Sequence, residues 1–474
     1  MRDIDQYIRQ GMEKWKIPGA AVGILRDGEI LLCRGYGYRD VENSLPVDEH
    51  TLFRLASVTK TFTSAVIAKL VSEGILDWDA PLRQYRDDII LYDESLTESV
   101  TLRDVACHRT GIPRSSLMGQ NPTLTDAEYI AMLRHLKPNL GFRDEFQYQN
   151  QLFAMLGCVA STVMGRPFEE ILQDELLTPL GLADTAMADR EMMDGGNSAL
   201  PYRINERRGF HKLGYTPDAH ADYPAGNLVS SLSDMLRYLR FHMQDGMLDG
   251  CAIVAQDALR ETHTNQIAQQ PGIGVEECTD LFYCLGWNAA NYRGRRILYH
   301  SGDYKGYATN ISFMPEHDIG IVFLSNLDQN LLGEALHLNI YDLLLEDGIT
   351  DFNDHYMQVQ AAMFQAYKNE AERAMAQRED IPMTNPLDDY AGVYSGNGIT
   401  GMEVRVVDGA LVCDYHGFIV ELAHLQHNAF IGYIEDFEAY VPVSFLSDSE
   451  GNIVSLVFML PPSQGSIMTI DKVH

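Results

Sequence analysis

Ser57 and Lys60 stand one helical turn apart in Leu55-Ala56-Ser57-Val58-Thr59-Lys60-Thr61-Phe62. Phe62, Ala65, Val66, Ile67, Ala68, Leu70 and Val71 leave only a narrow polar strip, which predicts a buried helix stopping near Gly74. Ser57 would open that helix, where free N–H groups and the macrodipole favour a developing negative charge. Lys60 follows on the same face. Burial disfavours a charged ammonium, so a lysine in this apolar setting can accept the proton of a serine hydroxyl, otherwise a weak nucleophile. The pattern alone does not decide. Ser-x-x-Lys arises by chance on the order of once in a chain of this composition, and a serine that only caps a helix has the same surroundings.

Two further patterns follow in order: Tyr148-Gln149-Asn150 in a helical region, and His300-Ser301-Gly302 closing a late strand. Around them lie Cys107-His108-Arg109-Thr110-Gly111-Ile112-Pro113, Pro179-Leu180-Gly181-Leu182, Pro224-Ala225-Gly226-Asn227-Leu228 with Ser230-Ser231, Leu285-Gly286-Trp287, and Gly306-Tyr307. Alone, each has a plain explanation: a core Tyr148, a loop-capping Asn150, a turn-satisfying His300. As an ordered set over roughly residues 5 to 345, they resemble the β-lactamase-related serine hydrolases, in which Ser-x-x-Lys, Tyr-x-Asn and Lys-Thr-Gly or His-x-Gly recur in this order. That family includes class C β-lactamases, D-alanyl-D-alanine carboxypeptidases, D-aminopeptidases and esterases.

The resemblance implies an acyl-enzyme on Ser57, with Lys60 assisting deprotonation and no metal or organic cofactor. Tyr148 is expected to shuttle protons, its proton affinity lowered by nearby Lys60. Asn150 is expected to hold a substrate amide and orient Lys60, and His300 and Ser301 to offer hydrogen bonds to substrate. The backbone N–H groups of Ser57 and Asp303 are expected to form an oxyanion hole, with Gly302 letting the edge strand come close. Where β-lactamases and carboxypeptidases carry Lys-Thr-Gly, this chain has His300-Ser301-Gly302; a mostly neutral histidine replaces a permanent cation. That departure predicts a preference for uncharged acyl donors, such as esters, amides or peptides with a free or blocked amino end, over penicillins. Asn227 stands where many relatives have a second glycine. Two other readings stay open: a penicillin-binding receptor that is acylated without turnover, and a ligand carrier using a C-terminal β-domain.

Other candidates are weaker. Asp218-Ala219-His220-Ala221-Asp222 has metal-ligand residue types but reads as a polar loop. His424 and His427 sit at a strand–turn junction, and His108 reads as a satisfied, partly buried histidine. No P-loop, dinucleotide fingerprint or Gly-x-Ser-x-Gly elbow occurs.

The elements that must position these residues follow from periodicity. Ile4 to Trp15 reads as an amphipathic helix, and Ala20 to Leu25 and Glu29 to Tyr36 as a hairpin turning at Asp27-Gly28. Asp79 to Gly286 reads as mainly helical. Strands return at Arg296 to His300, Tyr307 to Met314 and Ile319 to Ser325, before a helix from Glu334 to Leu345. Strands at both ends of residues 1–350 predict an α+β domain: one antiparallel sheet flanked by helices, with a large helical insertion. Residues 351–383 read as a helical connector, and 384–474 as a small β-barrel of lipocalin type or a sandwich.

The chain has 474 residues, 46% hydrophobic and 22% charged, the texture of a globular protein. Its formal charge of −31 argues against nucleic acid or an anionic membrane as partner. No apolar stretch has the length of a signal core or a membrane helix. Seven widely spaced cysteines suggest free thiols in a reducing compartment, hence a cytoplasmic location. The expected partner is a small-molecule or peptide substrate, with self-association into a homo-oligomer left open.

Overall fold

The computed structural model describes residues 2–115, 119, 121–189, 192–193, 195–270, 274–348, 350–376, 378–379, 381–434, 439–459 and 467–473. Its centre is an antiparallel sheet made from both ends of the first domain. Strand Gly19–Arg26 lies between Glu29–Asp40 and the late strand Ile319–Ser325, in the register Ala20↔Ser325 to Arg26↔Ile319. The sheet continues through Tyr307–Met314, Arg295–Tyr304, Asn288–Tyr292, Cys278–Tyr283 and Ile267–Ala268, and ends on the other side at Leu45–Pro46. The first hairpin turns where expected. Asp27 and Gly28 both take positive φ, 53° and 78°, which matches the right-handed twist of the strands.

Alternation distributes the sheet's side chains between two cores. Ala20, Val22, Ile24, Ile321 and Phe323 face Ile4, Ile8 and Met12 of helix Arg2–Trp15 and Leu332, Ala335 and Leu336 of helix Leu332–Leu345. Ala21, Leu25, Ile311, Val322 and Leu324 face the helical insertion, against Leu232, Met235, Leu236 and Leu239 of helix Leu232–Met243. Gly23 makes that approach feasible: a Cβ there would lie 2.7 Å from Leu236 Cδ2.

Two parts of the fold depart from the periodicity. The region expected to be mainly helical contains strand Cys278–Tyr283, whose alternation is broken where Asp280 takes φ 52° and the pairing register shifts. It also contributes Leu228–Ser230 and Ala186–Met187, strands too short for a periodic signal, to a small separate sheet with Phe53–Arg54.

Beyond helix Phe352–Ala376, eight antiparallel strands from Gly392–Gly396 to Ile467–Lys472 close on each other as a barrel. Seven of these strands correspond to short β-rich runs in the sequence, the first Tyr390 to Tyr394 and the last Ile453 to Leu460, whose end falls outside the described residues; the eighth strand, Ile467–Lys472, lies past them. Closure leaves no free sheet edge. Side chains fill the interior: Leu411, Tyr415, Val420, Phe430, Val443, Phe445 and Leu456 are all buried, and the Tyr390, Phe430 and Phe445 rings pack at 5.1 to 5.7 Å. Arg207 of the first domain spans to the barrel, bonding Glu421 at 2.7 Å and lying 3.8 Å over the Tyr433 ring. Among the described residues, no helix is long and apolar enough to cross a membrane.

Candidate active site

Strand Phe53–Arg54 delivers the chain into a 3₁₀ turn, Ala56–Val58, that runs into helix Thr59–Ser72. Ser57 therefore sits in the turn just ahead of the helix. Ala56 holds φ 47°, a left-handed conformation that a residue with a Cβ adopts at a cost of order 1 kcal/mol or more. The helix is buried on nearly every side: Phe62, Ala65, Val66, Ile67, Ala68 and Leu70 have no exposure. A helix sheathed in apolar contacts is a stiff mount for its first turn.

Lys60 is 0% exposed, yet it is an ammonium-bearing side chain. Its Nζ lies 3.2 Å from Ser57 Oγ and donates to the Ala225 carbonyl at 2.6 Å. It also stands 4.9 Å over the Tyr148 ring and 5.5 Å over that of Phe153. Burial pushes its proton affinity down to about 7; the Asp222 carboxylate pulls it up and the Arg114 charge adds to the fall.

Tyr148 corrects an expectation. Burial raises the proton affinity of its phenol; a hydrogen-bond interaction with Ser57 and the Arg114 charge pull only partly the other way. A lysine that is itself half neutral near pH 7 exerts too little charge to create a phenolate beside it. Tyr148 packs against His108 at 4.3 Å and Tyr283 at 6.3 Å between ring centres. His108 is fully buried, with Nδ1 accepting from the Gln149 N–H at 3.1 Å.

The third motif is also placed differently than expected. His300 is 3% exposed, and both ring nitrogens are occupied: Nδ1 donates to the Ser301 carbonyl at 2.7 Å, and Nε2 accepts from Tyr283 Oη at 3.0 Å. Burial and the neighbouring Lys60 push its proton affinity down to about 3, so the ring is neutral. It stands behind the cleft as a brace, with no nitrogen left for a substrate. Ser301 points to the opposite face, where its hydroxyl meets the buried carboxyl of Glu334. Gly302 behaves as expected. A Cβ there would lie 2.3 Å from the Leu55 carbonyl, so only glycine lets this strand press against the Ser57 turn. The ladder with Asn288–Tyr292 stops at Tyr299, leaving residues 300–304 as an open edge, with the Asp303 backbone beside Ser57's turn.

Between this edge and helix Asn150–Met164 lies a cavity of about 160 Å³ lined by Ser57, Asn150, Arg114, Asp222, Asp303 and Tyr304, among others. Asn150 is the helix's first residue. It does not orient Lys60, whose bonds go elsewhere; its Oδ1 is buried with no hydrogen-bond partner among the described residues. Under the floor, buried Arg54 donates to Asp218 Oδ2 at 2.7 Å and Asn227 Oδ1 at 2.5 Å and lies 4.3 Å over the Tyr304 ring. Asn227 thus ties the floor together, accepting from Arg54 and donating to the Ala188 carbonyl at 3.1 Å.

The loop with metal-ligand residue types has other partners. Asp218 meets Arg54, His220 bridges Asp126 at 2.9 Å and Glu169 at 2.7 Å, and Asp222 accepts from Tyr129 Oη at 2.8 Å. Among the described residues no three His, Cys, Asp or Glu side chains converge as a metal site. Sequence reading missed Arg114 and Asp222 as cleft groups. Arg114 follows directly on the His108 to Pro113 run, and Asp222 lies two residues before Pro224, so position beside a motif was the available signal.

The model of the family described as Beta-lactamase matches residues 4–344. The chain belongs to the Beta-lactamase family. Residues 376–467 match a second model, a domain of unknown function, DUF3471, which corresponds to most of the barrel. The chain is 27% identical over 424 residues to "Unguisins hydrolase ungD'" of Aspergillus campestris (strain IBT 28561), covering 83% of this chain and 75% of that one. It is 24% identical over 345 residues to "Protein flp" of Staphylococcus aureus (strain NCTC 8325 / PS 47), covering 71% and 66%. The octameric penicillin-binding protein homologue from Pyrococcus abyssi shares the fold over 99% of both chains, with a TM-score of 0.66 at 22% identity. That likeness extends across this Beta-lactamase family member's barrel as well as its first domain.

Proposed function

We propose that this chain is a serine hydrolase that cleaves an amide, peptide or ester through an acyl-enzyme on Ser57. The observation that carries the reading is a fully buried lysine amine 3.2 Å from Ser57 Oγ. With a proton affinity near neutrality, Lys60 takes the Ser57 proton as Oγ bonds to the substrate carbonyl carbon. The carbonyl electrons move onto oxygen, which the Ser57 and Asp303 N–H groups stabilise. Collapse of the adduct expels the leaving group. Tyr148, a protonated phenol beside Ser57 and Lys60, donates the proton that group needs and is re-protonated from Lys60. Water then attacks the ester with Lys60 again as the base, freeing Ser57. Asn150 Oδ1 offers the acceptor for a substrate N–H.

Two alternatives lose support. A β-lactamase or D,D-carboxypeptidase reading looks for a cation at the third motif, and His300 is neutral and turned away from the cleft. Ligand carriage by the barrel meets an interior filled with side chains. A relative with a hydrolase name favours turnover over a receptor that is merely acylated. We further infer a reducing compartment from seven free cysteines, and self-association from the octameric neighbour. Residues 1–350, 351–383 and 384–474 are the proposed domain, connector and barrel. The test is intact-mass spectrometry after exposure to a fluorophosphonate and, separately, a penicillin. A single adduct is expected with each, the penicillin adduct decaying; the Ser57→Ala protein should take up neither. A penicillin adduct that never decays, with no turnover of esters, would support the receptor.

A further inference from the structure

The backbone on either side of Arg114 is pinned to the start of helix Asn150–Met164. Gln149 Nε2 donates to the Pro113 carbonyl at 2.8 Å, and Ser115 exchanges two bonds with Gln151: its N–H donates to Oε1 at 3.1 Å, and its carbonyl accepts from Nε2 at 2.9 Å. Three hydrogen bonds therefore hold the segment that projects Arg114 into the cleft wall. Its guanidinium, by contrast, has no hydrogen bond or ion pair with any described residue.

The other charged groups around the cavity have partners, Lys305 included, whose amine lies 5.5 Å over the Tyr304 ring. Arg203 bonds Asp328 at 2.5 to 2.9 Å, Asp218 bonds Arg54, Asp222 accepts from Tyr129, and Asp303 accepts from the Gln329 N–H at 2.7 Å. A permanent cation beside the positive end of a 15-residue helix is electrostatically disfavoured, and the Asp222 carboxylate answers it only at a distance, with no ion pair between them. The same place is favourable for an anion, since the helix N-terminus and a planar five-donor fork then act together. Beside it, Asn150 Oδ1 is a buried acceptor with no donor among the described residues.

We propose that Arg114 is a specificity-determining residue that binds a carboxylate on the acyl portion of the substrate, so that this enzyme favours acidic acyl donors. The proposal rests on the acyl-enzyme reading of Ser57. It also revises the expectation of uncharged substrates, which considered only the third motif: the cation stands on the other wall, with Asn150. A substrate entering the cleft would lay its carbonyl between Ser57 and the Asp303 edge, offer an N–H or no group to Asn150, and extend its carboxylate to Arg114.

The experiment compares two acyl donors of equal length, 4-nitrophenyl valerate and the mono-4-nitrophenyl ester of glutaric acid, the latter corrected for spontaneous hydrolysis. The ratio of kcat/KM, glutarate over valerate, should fall roughly tenfold in Arg114→Gln, and Arg114→Lys should recover part of it. Raising ionic strength should lower the wild-type ratio and leave that of Arg114→Gln nearly flat. Should Arg114→Gln fail to fold, Arg114→Lys and the salt dependence of the wild-type ratio carry the test. An unchanged ratio in Arg114→Gln protein that still labels at Ser57 overturns the assignment, as does a salt-independent wild-type ratio. The nucleophile fails on a separate observation, fluorophosphonate labelling that survives Ser57→Ala, and the charge ratio is judged as before in that case.

Discussion

The cleft beside Ser57 and the interior of the barrel are both buried, and they treat polar groups in opposite ways. The barrel encloses Leu411, Val420, Phe430, Val443, Phe445 and Leu456, its aromatic rings stacked edge to face. The cleft region buries a lysine, two histidines and an asparagine oxygen with no hydrogen-bond partner among the described residues. Apolar burial stabilises without specifying chemistry, whereas each buried polar group costs stability unless something answers it. Unanswered polar atoms occur elsewhere too, Tyr415 Oη of the barrel among them, but Asn150 Oδ1 belongs to a residue lining an open cavity, where a ligand can reach it.

The sharpest way to break the contrast is Lys60→Ala. It should lower kcat/KM for any ester by at least about two orders of magnitude while leaving unfolding temperature equal or higher, because a costly buried amine is gone. A large loss of stability with modest loss of rate would place Lys60 in the same class as the barrel core. The converse change, Phe430→Ala, should destabilise by about 3–5 kcal/mol in urea unfolding, with kcat/KM for a small ester unchanged at temperatures where the protein remains folded.

The pH profile gives an intermediate effect. Lys60 must be neutral to take the Ser57 proton, so kcat/KM should rise with pH through about 7 and level above it. The Asp222 carboxylate favours the charged lysine. Asp222→Asn removes that charge, so the acidic limb should move to lower pH, by on the order of one unit for charges a few ångströms apart in a partly buried site. The Asn side chain keeps an acceptor for Tyr129 Oη, which holds the geometry. A limb that stays in place, or moves to higher pH, would show that Asp222 does not act on Lys60. The smallest effect belongs to the domain contact. Arg207→Ala removes an exposed ion pair with Glu421 and the stack on Tyr433, and should change stability by no more than about 1 kcal/mol, read by urea unfolding.

What local sequence determined was whatever depends on neighbours close along the chain. Alternation in Gly19–Arg26 and through most of the barrel strands, the Asp27-Gly28 turn and the all-round apolar helix after Lys60 were each legible, because period and turn chemistry are local. The order of Ser57, Tyr148 and His300 was legible as well. Strand Cys278–Tyr283 was not, since a residue in a left-handed conformation broke its alternation. The lowered proton affinity of Lys60 and the neutral His300 followed from residue type and an apolar setting, whereas the raised proton affinity of Tyr148 did not. The neutral state of His300, the raised proton affinity of Tyr148 and the near-neutral Lys60 arise from burial and from charges such as Asp222, 162 positions away in the sequence. Arg114 shows the same division: its type was plain to read, but only packing decided that Gln149 and Gln151 would hold its neighbours Pro113 and Ser115 so that it lines the cleft.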